Sequence, residues 1–514
     1  MKLFGKLIFI LFLFSSVVYT QNFGTDNTNG KWMAGDFHQH TYYTDGEHTL
    51  DEVIESGFKY GLDFQANSEH GGSRYRDGYN HFWDDPTYYP VNPIKGDVKI
   101  NNNGHQEMWR WQSLSEYVYP HINSLRNNYQ NKLILTGVEW NVPGHEHCDI
   151  MIQDLNNYPY VAVFEYYFDA SDIDTSNPFV GDFLPAEKML TNNHEKAIEA
   201  AKWLQEYFAG YSWMIPTHPE RRNEWHIEDF RDLNNAAPDV AFGFDGMPGH
   251  QKESNRGGFS SEQAVGGGTY GGAGYFIAKV GGLWDAMLGE GRHWWNFVNS
   301  DFHNTNGDFW PGEYAKTYAY VQDLNGNGLF EINEIVSALR SGNSFAVHGD
   351  LINALEFTVK NESDSATMGE DFRVSKNSNI EITIAYKSPE INNNGDKPVV
   401  HHIDLIAGDI TGEIQPNSPD YTKDINETTR VIKRFNASDF TKTSDGWNRV
   451  TYNLSVGKNT YFRLRGTNLP PNTPFETDQE GNPLVDFDQE KLDGADEAWA
   501  DLWFYSNPIF VYGE

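Results

Sequence analysis

The segment Gly35–Gly46 carries residues well suited to binding a metal ion. It reads GDFHQHTYYTDG and places His38 and His40 two positions apart, with Asp45 five positions further on. Residues i and i+2 of a β-strand point to the same face, so both imidazoles can bind one ion. The carboxylate in the following loop can reach the same ion or a neighbouring one. The pair alone is not specific, because histidine occurs 18 times among the 514 residues.

Further residues of metal-binding type follow along the chain, each close to the end or the start of a predicted strand. Amphipathic helices are predicted near residues 50–60, 113–128 and 194–208, and their alternation with strands indicates a parallel α/β architecture. Ligands of such folds collect at the carboxyl ends of the strands. The candidate metal ligands are His38, His40, Asp45, His70, Glu139, His145, His147, His218, Asp301 and His303.

The ligand types limit which metals the site can take. Imidazole and carboxylate groups without thiolates suit zinc, manganese or iron, and a cluster rich in carboxylates can hold two or three ions. The single cysteine, Cys148, excludes an intramolecular disulfide framework and a cysteine-based zinc site. The sequence therefore predicts two or three divalent transition metals as cofactors.

Residues 323–334, DLNGNGLFEINE, match a calcium-binding loop. Oxygen-bearing side chains fall at loop positions 1, 3, 5, 9 and 12, and Gly328 occupies position 6 before the predicted helix EIVSALRSG. The alternative is a solvated Asn-Gly turn. The predicted calcium ligands of this EF-hand-like loop include Asp323, Asn325, Asn327 and Glu334.

Composition and length indicate an exported protein of more than one domain. Residues 1–20 contain two lysines followed by an apolar run, which is typical of a secretory signal peptide; an uncleaved anchor is the alternative. No other run is long enough to span a membrane. The net charge of −35 argues against nucleic acids and anionic membranes as partners. A small molecule is the expected partner.

The pattern of residue types changes at about residue 351. Residues 21–350 hold all the candidate ligands, and residues 243–292 within them are rich in glycine and predicted to form long loops. Residues 351–514 alternate short strands with Asn, Gly, Pro and Asp turns. This pattern predicts a β-rich C-terminal domain of the sandwich type.

The ordered set of motifs resembles the PHP (polymerase and histidinol phosphatase) superfamily of metal-dependent hydrolases. The motifs are HQH with Asp45-Gly46, NSEH ending in His70, GVE with Glu139, THPE with His218, and DFH with Asp301. The tail from GDLINALEFTV to SNPIFVYG is more particularly similar to exported members related to carbaryl esterase. The resemblance implies a distorted, TIM-like barrel of seven β/α units, followed by the C-terminal domain.

The resemblance also implies roles for the candidate ligands. Glu69 stands where the family commonly has Asp, and it remains open whether His145 or His147 is the ligand, although strand alternation favours His147. A first ion would take His38, His40, Glu139 and Asp301. A second would share Glu139 and take His218 with His145 or His147. A third would take Asp45, His70 and His303.

The expected reaction is hydrolysis by a water that bridges the ions. His250 is a candidate acid for the leaving group, and Arg74 or Arg222 are candidates for binding a phosphate, together with Arg76 and Arg221. A phosphoesterase is the leading hypothesis. A hydrolase of carbamates or carboxylic esters is the alternative, with Trp83, Trp109 and Trp111 as an apolar wall. A non-catalytic module that binds metal or glycan is a third hypothesis.

Overall fold

The fold is that of a computed structural model, which describes residues 30–179, 186–188, 191–259, 263–486 and 494–513. The predicted signal peptide at residues 1–20 lies outside these ranges. Among the described residues, no helix is long and apolar enough to cross a bilayer.

Strands and helices alternate through the part of the chain that holds the candidate ligands. The strands are β1 (Gly30–Asp36), β2 (Phe64–Asn67), β3 (Ser73–Arg74), β4 (Lys99–Ile100), β5 (Gln106–Trp109), β6 (Leu133–Trp140), β7 (Cys148–Ile152), β8 (Ser212–Pro216), β9 (Gly243–Met247), β10 (Trp295–Val298), β11 (Ala315–Gln322) and β12 (Ser344–His348). The helices are α1 (Leu50–Lys59), α2 (Arg110–Ser113), α3 (Tyr119–Asn128), α4 (Tyr160–Phe168), α5 (His194–Phe208), α6 (Ile227–Ala236), α7 (Tyr275–Ala278), α8 (Leu283–Gly289) and α9 (Ile332–Ser341).

The strands that carry the candidate ligands form a mixed sheet rather than a purely parallel one. Strand β2 pairs in parallel with both β1 and β6, whereas β7 runs antiparallel to β6 and to β8. Strands β9 and β10 form a separate parallel pair. The α/β class is confirmed, and the expectation of a purely parallel arrangement is wrong.

Helix α1 illustrates how local sequence fixes an element. Thr49 caps its first turn, and a capping box joins Thr49 to Glu52. Val53 and Ile54 are buried against the sheet side of the helix, as their spacing predicts. The predicted helices over residues 113–128 and 194–208 are confirmed too, the first starting earlier, at α2, and passing through a π-helical turn over Leu114–Val118.

The glycine-rich region 243–292 is more ordered than its composition predicts. It contains β9, α7 and α8, so the prediction of long loops throughout is wrong. A Cβ atom on Gly243 would lie 2.5 Å from the carbonyl oxygen of Trp295, and one on Gly246 would lie 2.5 Å from Oδ1 of Asn296. Glycine is needed here because β9 packs closely against β10.

The C-terminal region is rich in strands, as predicted. Its elements are β13 (Ala354–Lys360), β14 (Ser365–Thr367), β15 (Asp371–Val374), β16 (Ser378–Lys387), β17 (His402–Asp409), β18 (Arg430–Asn436), β19 (Thr441–Lys442), β20 (Asn448–Val456), β21 (Thr460–Thr467), α10 (Gly494–Ala500), β22 (Trp503–Ser506) and β23 (Ile509–Gly513).

These strands contribute to two sheets. One is a five-stranded sheet in the order β14-β13-β16-β20-β19. Others continue the large sheet of the preceding region, because β22 pairs with β12 along Phe345–Val347. The seven-stranded barrel, the sandwich and the boundary at residue 350 stay predictions.

Candidate metal centre

The carboxylate of Glu139, near the end of β6, lies at the centre of the candidate ligands. Its Oε1 atom is 2.9 Å from Nδ1 of His147, 3.2 Å from Nε2 of His218 and 3.3 Å from Nε2 of His38. All four side chains come from different segments. Burial alone would raise the pKa of Glu139, but the surrounding imidazoles, His147 first, hold it well below its usual range.

The second oxygen of Glu139 faces another group of imidazoles. Oε2 lies 2.7 Å from Nδ1 of His70 and 3.3 Å from Nε2 of His40. The carboxylate of Asp45 lies on the far side of these rings, 3.4 Å from Nε2 of His70 and 3.5 Å from Nε2 of His303. Glu139 and Asp45 therefore bracket a continuous set of histidines.

Asp301 is the third carboxylate of the cluster. Its Oδ1 atom lies 3.1 Å from Nε2 of His38 and 3.4 Å from Nε2 of His40. Its Oδ2 atom accepts a hydrogen bond from Arg221 at 2.9 Å and lies 3.0 Å from Nε2 of His250. Burial alone would raise the pKa of Asp301, but His38 and His250 hold it well below its usual range.

His250 connects the cluster to a second acid. Its Nδ1 atom lies 2.6 Å from Oδ1 of Asp308, while Nε2 faces Asp301. Burial would lower the pKa of His250, but these two carboxylates outweigh it and raise the pKa to about 10. The imidazole is therefore held in its protonated form at neutral pH.

Hydrogen bonds between the ends of β1 and β10 hold the two ligand segments together. The carboxylate of Asp36 accepts hydrogen bonds from the backbone N–H of His38 at 3.1 Å and of Ser300 at 2.9 Å. The side-chain oxygen of Asn299 accepts the N–H of Phe37 at 2.8 Å. The HQH and DFH motifs are thereby fixed beside one another.

The cluster contains buried polar atoms without a hydrogen-bond partner, which normally carries a cost in free energy. A divalent cation would supply the partner that these lone pairs lack, so the residues fit metal ions bound through nitrogen and oxygen. Among the described residues, these atoms include Nδ1 and Nε2 of His38, Nε2 of His40, Oε2 of Glu139, Nδ1 of His147 and Nδ1 of His218.

Several overlapping groups could each hold an ion. Their ligand atoms lie within 4.8 Å of one another. These groups are His40 with Asp45, His70 and His303; His38 with His40 and Glu139; His38 with His218 and Asp301; and His70 with Glu139 and His147.

The contacts of three other predicted site residues are with groups other than Glu139, Asp45 and Asp301. His145 contacts His194 and the carbonyl of Glu224 instead of Glu139. Arg222 is half-exposed and lies 3.2 Å from Glu146. The guanidinium carbon of Arg74 lies 4.9 Å from the centre of the Tyr75 ring. The roles assigned to His145, Arg74 and Arg222 stay predictions.

The three tryptophans expected to form an apolar wall belong to the core. Trp83 and Trp109 are each 1% exposed, and Trp111 is 5% exposed. The indole N–H of Trp109 donates to the carbonyl of Asp97 at 2.8 Å, and that of Trp111 donates to Asp174 at 2.9 Å. The expected wall is wrong, because these three rings are enclosed in the core.

Two buried acids near His38 were missed by the sequence analysis. The carboxylates of Asp149 and Asp245 lie 3.6 Å and 3.8 Å from Nδ1 of His38. Burial raises the pKa of both acids. Asp149 could have been found, because it follows His147 by two positions on an alternating strand. Asp245 lies in β9, which the glycine-rich pattern concealed.

The loop at residues 323–334 is closed by its own hydrogen bonds. The carboxylate of Asp323 accepts the backbone N–H groups of Gly326 at 2.7 Å and Gly328 at 2.8 Å. Glu334, at the far end, accepts those of Leu324 at 2.7 Å and Glu331 at 2.9 Å. The first and last predicted ligands are thus both turned into the loop, and calcium binding stays a prediction.

Comparisons with known families and with curated proteins find no match to this chain. Among solved structures, the chain is similar to a two-domain protein from Bacteroides vulgatus containing a predicted PHP-like metal-dependent phosphoesterase. The identity is 11%, the TM-score is 0.34, and the alignment covers 90% of this chain and 97% of that chain. It is also similar to PsfC from Pseudomonas syringae, at 10% identity and a TM-score of 0.28, over 60% of this chain and 89% of that chain. Scores this low establish neither fold nor function, which must be argued from the cluster itself.

Proposed function

We propose that this chain is an exported, metal-dependent hydrolase of the PHP type that cleaves phosphate esters. The observation that carries the proposal is the Glu139 carboxylate, whose two oxygens lie within 3.3 Å of nitrogens from five imidazoles. A carboxylate surrounded in this way is suited to bridging two ions, an arrangement used for in-line displacement at phosphorus.

The proposed barrel consists of β1, β2 and β6 to β10. The N–H of Met214 in β8 bonds to the carbonyl of Val240 at 3.0 Å, just before β9. The N–H of His40 bonds to the carbonyl of Phe302 at 2.8 Å, which joins the segments after β1 and β10. These contacts support closure of the ring of strands around Glu139.

The ligand sets are those that the resemblance to the PHP superfamily implies, with His147 taken as the ligand because it lies 2.9 Å from Glu139. Bound divalent ions would act as Lewis acids that polarise the ester and activate water at neutral pH. One ion is assigned to His38, His40, Glu139 and Asp301, a second to Glu139, His147 and His218, and a third to Asp45, His70 and His303.

His250 is proposed to hold the proton that the leaving group needs. Its flanking acids, Asp301 and Asp308, keep the ring protonated, and its Nε2 atom faces the cluster through Asp301. A proton at Nε2 can be donated to the leaving oxygen once that oxygen is within hydrogen-bond distance. The ring nitrogen Nδ1 is held by Asp308, so the donor atom is defined.

Arg221 is the arginine that the geometry favours for the phosphate. It donates to Asp301 at 2.9 Å and its side chain is 18% exposed, whereas Arg222 contacts Glu146 and is 53% exposed. A phosphomonoester dianion needs positive charge in a protein whose net charge is −35. A guanidinium beside the cluster meets that need and favours phosphate over a neutral ester.

The test is hydrolysis by protein loaded separately with Mn²⁺, Zn²⁺ or Fe²⁺. The substrates are 4-nitrophenyl phosphate, bis(4-nitrophenyl) phosphate and a 1-naphthyl ester, and the variants are Arg221→Ala, Arg222→Ala and Arg74→Ala. For Arg221→Ala, kcat/KM for release of 4-nitrophenol should fall about 100-fold, which corresponds to a loss of roughly 2–3 kcal/mol of transition-state stabilisation. The other two variants serve as matched controls and should change it less than about threefold.

Two outcomes would reject a phosphoesterase. Turnover of the 1-naphthyl ester that is unaffected by Arg221→Ala, with no 4-nitrophenol released from either phosphate substrate, would identify a carboxylic ester or carbamate hydrolase. Metal binding without turnover of any substrate would identify a binding protein. Export is tested separately, by fusing residues 1–20 to a reporter and measuring its secretion.

A further inference from the structure

His145, His194 and Asp229 form a second cluster of metal-binding side chains, separate from Glu139. His145 lies in the loop between β6 and β7, His194 is the first residue of α5, and Asp229 lies in the first turn of α6. Nε2 of His145 and Nδ1 of His194 are 2.8 Å apart, and Oδ1 of Asp229 lies 3.5 Å from the latter atom. Three elements distant in sequence thus bring two nitrogens and one oxygen together.

Hydrogen bonds define which ring nitrogens face the middle of this cluster. Nδ1 of His145 lies 2.9 Å from the carbonyl oxygen of Glu224, which can only accept, so Nδ1 carries the proton and Nε2 carries the lone pair. Nε2 of His194 lies 3.3 Å from Oδ2 of Asp232, leaving Nδ1 to face His145. Histidines that bind metals are oriented in this way, with the second nitrogen donating to a carbonyl or carboxylate.

The remaining contacts hold these side chains in place. The ring of His145 stacks on Trp225 with centroids 4.2 Å apart and an angle of 11° between the planes. Oδ2 of Asp229 accepts the N–H of His226 at 2.8 Å, so Oδ1 is the oxygen left to face the histidines. These contacts hold the outer atoms of the three side chains, and the two facing nitrogens share a hydrogen bond at 2.8 Å that an ion would replace.

We propose that His145, His194 and Asp229 bind one further divalent ion of the zinc class, distinct from the ions around Glu139. Two imidazoles and a carboxylate without a thiolate suit Zn²⁺, and three protein ligands leave a fourth position for water. The side chains of His145 and Asp229 are mostly buried, whereas that of His194 is 27% exposed, which gives the ion a route from solvent.

This ion would brace the loop that leads to His147. His145 is two residues before His147, which lies 2.9 Å from Glu139, and Glu146 between them lies 3.8 Å from His218 and 3.2 Å from Arg222. An ion shared by the loop, α5 and α6 ties that segment to two helices. The ion bound by His145, His194 and Asp229 is thus structural, and it supports the geometry of the Glu139 cluster without contacting substrate.

The experiment counts ions per chain in the whole protein after zinc loading and removal of free metal. Native mass spectrometry and elemental analysis are applied to wild type, His194→Ala and Asp229→Asn. Asparagine keeps an acceptor for the N–H of His226, so that variant retains the cap of α6. His293→Ala, at an exposed histidine that faces Asp371, is the matched control.

Both cluster variants should hold one ion fewer than wild type, and His293→Ala should hold the same number. Zinc added beyond saturation of the Glu139 cluster should raise the melting temperature of wild type further, and it should not do so in either cluster variant. Equal ion counts in wild type and Asp229→Asn would overturn the proposal and leave a metal-free hydrogen-bond network. The count does not depend on turnover, so a failure of the proposed phosphoesterase activity would not affect the result.

Discussion

Replacing Glu139 by glutamine is the most direct test of the metal cluster. The substitution keeps the size of the side chain and one oxygen, but it turns the other oxygen into an NH₂ group that cannot bind a cation. Oε1 faces three imidazole nitrogens and Oε2 faces two, all within 3.3 Å. Whichever way the amide turns, one of these two groups loses its oxygen ligand.

The expected loss of metal affinity follows from the loss of one oxygen ligand. Changing a residue that only orients a metal ligand costs about 10- to 100-fold in metal affinity. Loss of a direct ligand should therefore weaken binding of at least one ion by about 100-fold or more, which is about 2.7 kcal/mol at 1.36 kcal/mol per tenfold change. Hydrolysis should fall at least as far, because the same carboxylate faces the ligands of both proposed ions.

The assay is competition for metal between the protein and a chelator of known affinity, followed by elemental analysis. Glu165→Gln is the matched control, because Glu165 is another buried glutamate whose side chain accepts a hydrogen bond, from the N–H of Gly72 at 2.8 Å. Burial, with Asp172 and Asp169 nearby, raises the pKa of Glu165 well above its usual range. Glu165 belongs to none of the ligand groups named above, so the amide should leave metal affinity unchanged.

One result would refute the assignment of Glu139 as a bridging ligand. If Glu139→Gln retained the ions of wild type at every chelator concentration, the ions would have to be held by the imidazoles and the other carboxylates without an oxygen of Glu139. Loss of ions from Glu165→Gln to the same extent would instead indicate that replacing any buried carboxylate in this region disturbs folding. Circular dichroism of each metal-free variant separates these two cases.

Three further predictions concern His250, the calcium loop and the tryptophan core. The pKa of His250 is raised from 6.5 to about 10 in the folded, metal-free protein, so its stabilisation is fully present below about pH 6.5 and is lost as the pH rises through about 10. Between these values wild type should lose up to about 5 kcal/mol of unfolding free energy that His250→Gln does not lose, measured by urea titration. Calcium should raise the melting temperature of wild type but not that of Asp323→Ala, and an equal rise in both would remove calcium from the loop. Trp111→Ala should lower the unfolding free energy by about 3–5 kcal/mol, because the ring is enclosed; a change near zero would place the ring at an open surface.

The sequence was informative where local patterns decide structure. The helical spacing in α5 predicts that element, because burial of one helix face is a local property. Strand β9 was not predicted, because its glycines are needed for close packing against β10, which is about 50 residues away in sequence. A composition rich in glycine indicates loops unless the neighbour that needs the space is known.

The position of His147 at the start of a strand could be predicted, but the cause of its contact with Glu139 could not. The residue opens β7, and openings of strands in a purely parallel sheet lie at the edge opposite to the ligands. Strand β7 runs antiparallel to β6, with Trp140 paired to Cys148 and Glu139 to Asp149. The start of β7 therefore lies beside the end of β6, which brings His147 to Glu139. The antiparallel pairing of β7 with β6 sets this contact, and the contact cannot be predicted from sequence spacing alone.

Three residues of the cluster have a strained backbone. His218, His250 and Asp301 have φ values of 31°, 55° and 47°, in the left-handed region that disfavours side chains with a Cβ atom. Each such residue costs of the order of 1–3 kcal/mol and persists only where its surroundings fix the backbone. Asp36 provides part of that constraint by accepting the N–H of Ser300, the residue before Asp301. Because relaxed φ values would redirect these three side chains, the strained backbone is better explained as the condition for their convergence on one cluster than as a by-product of the turns.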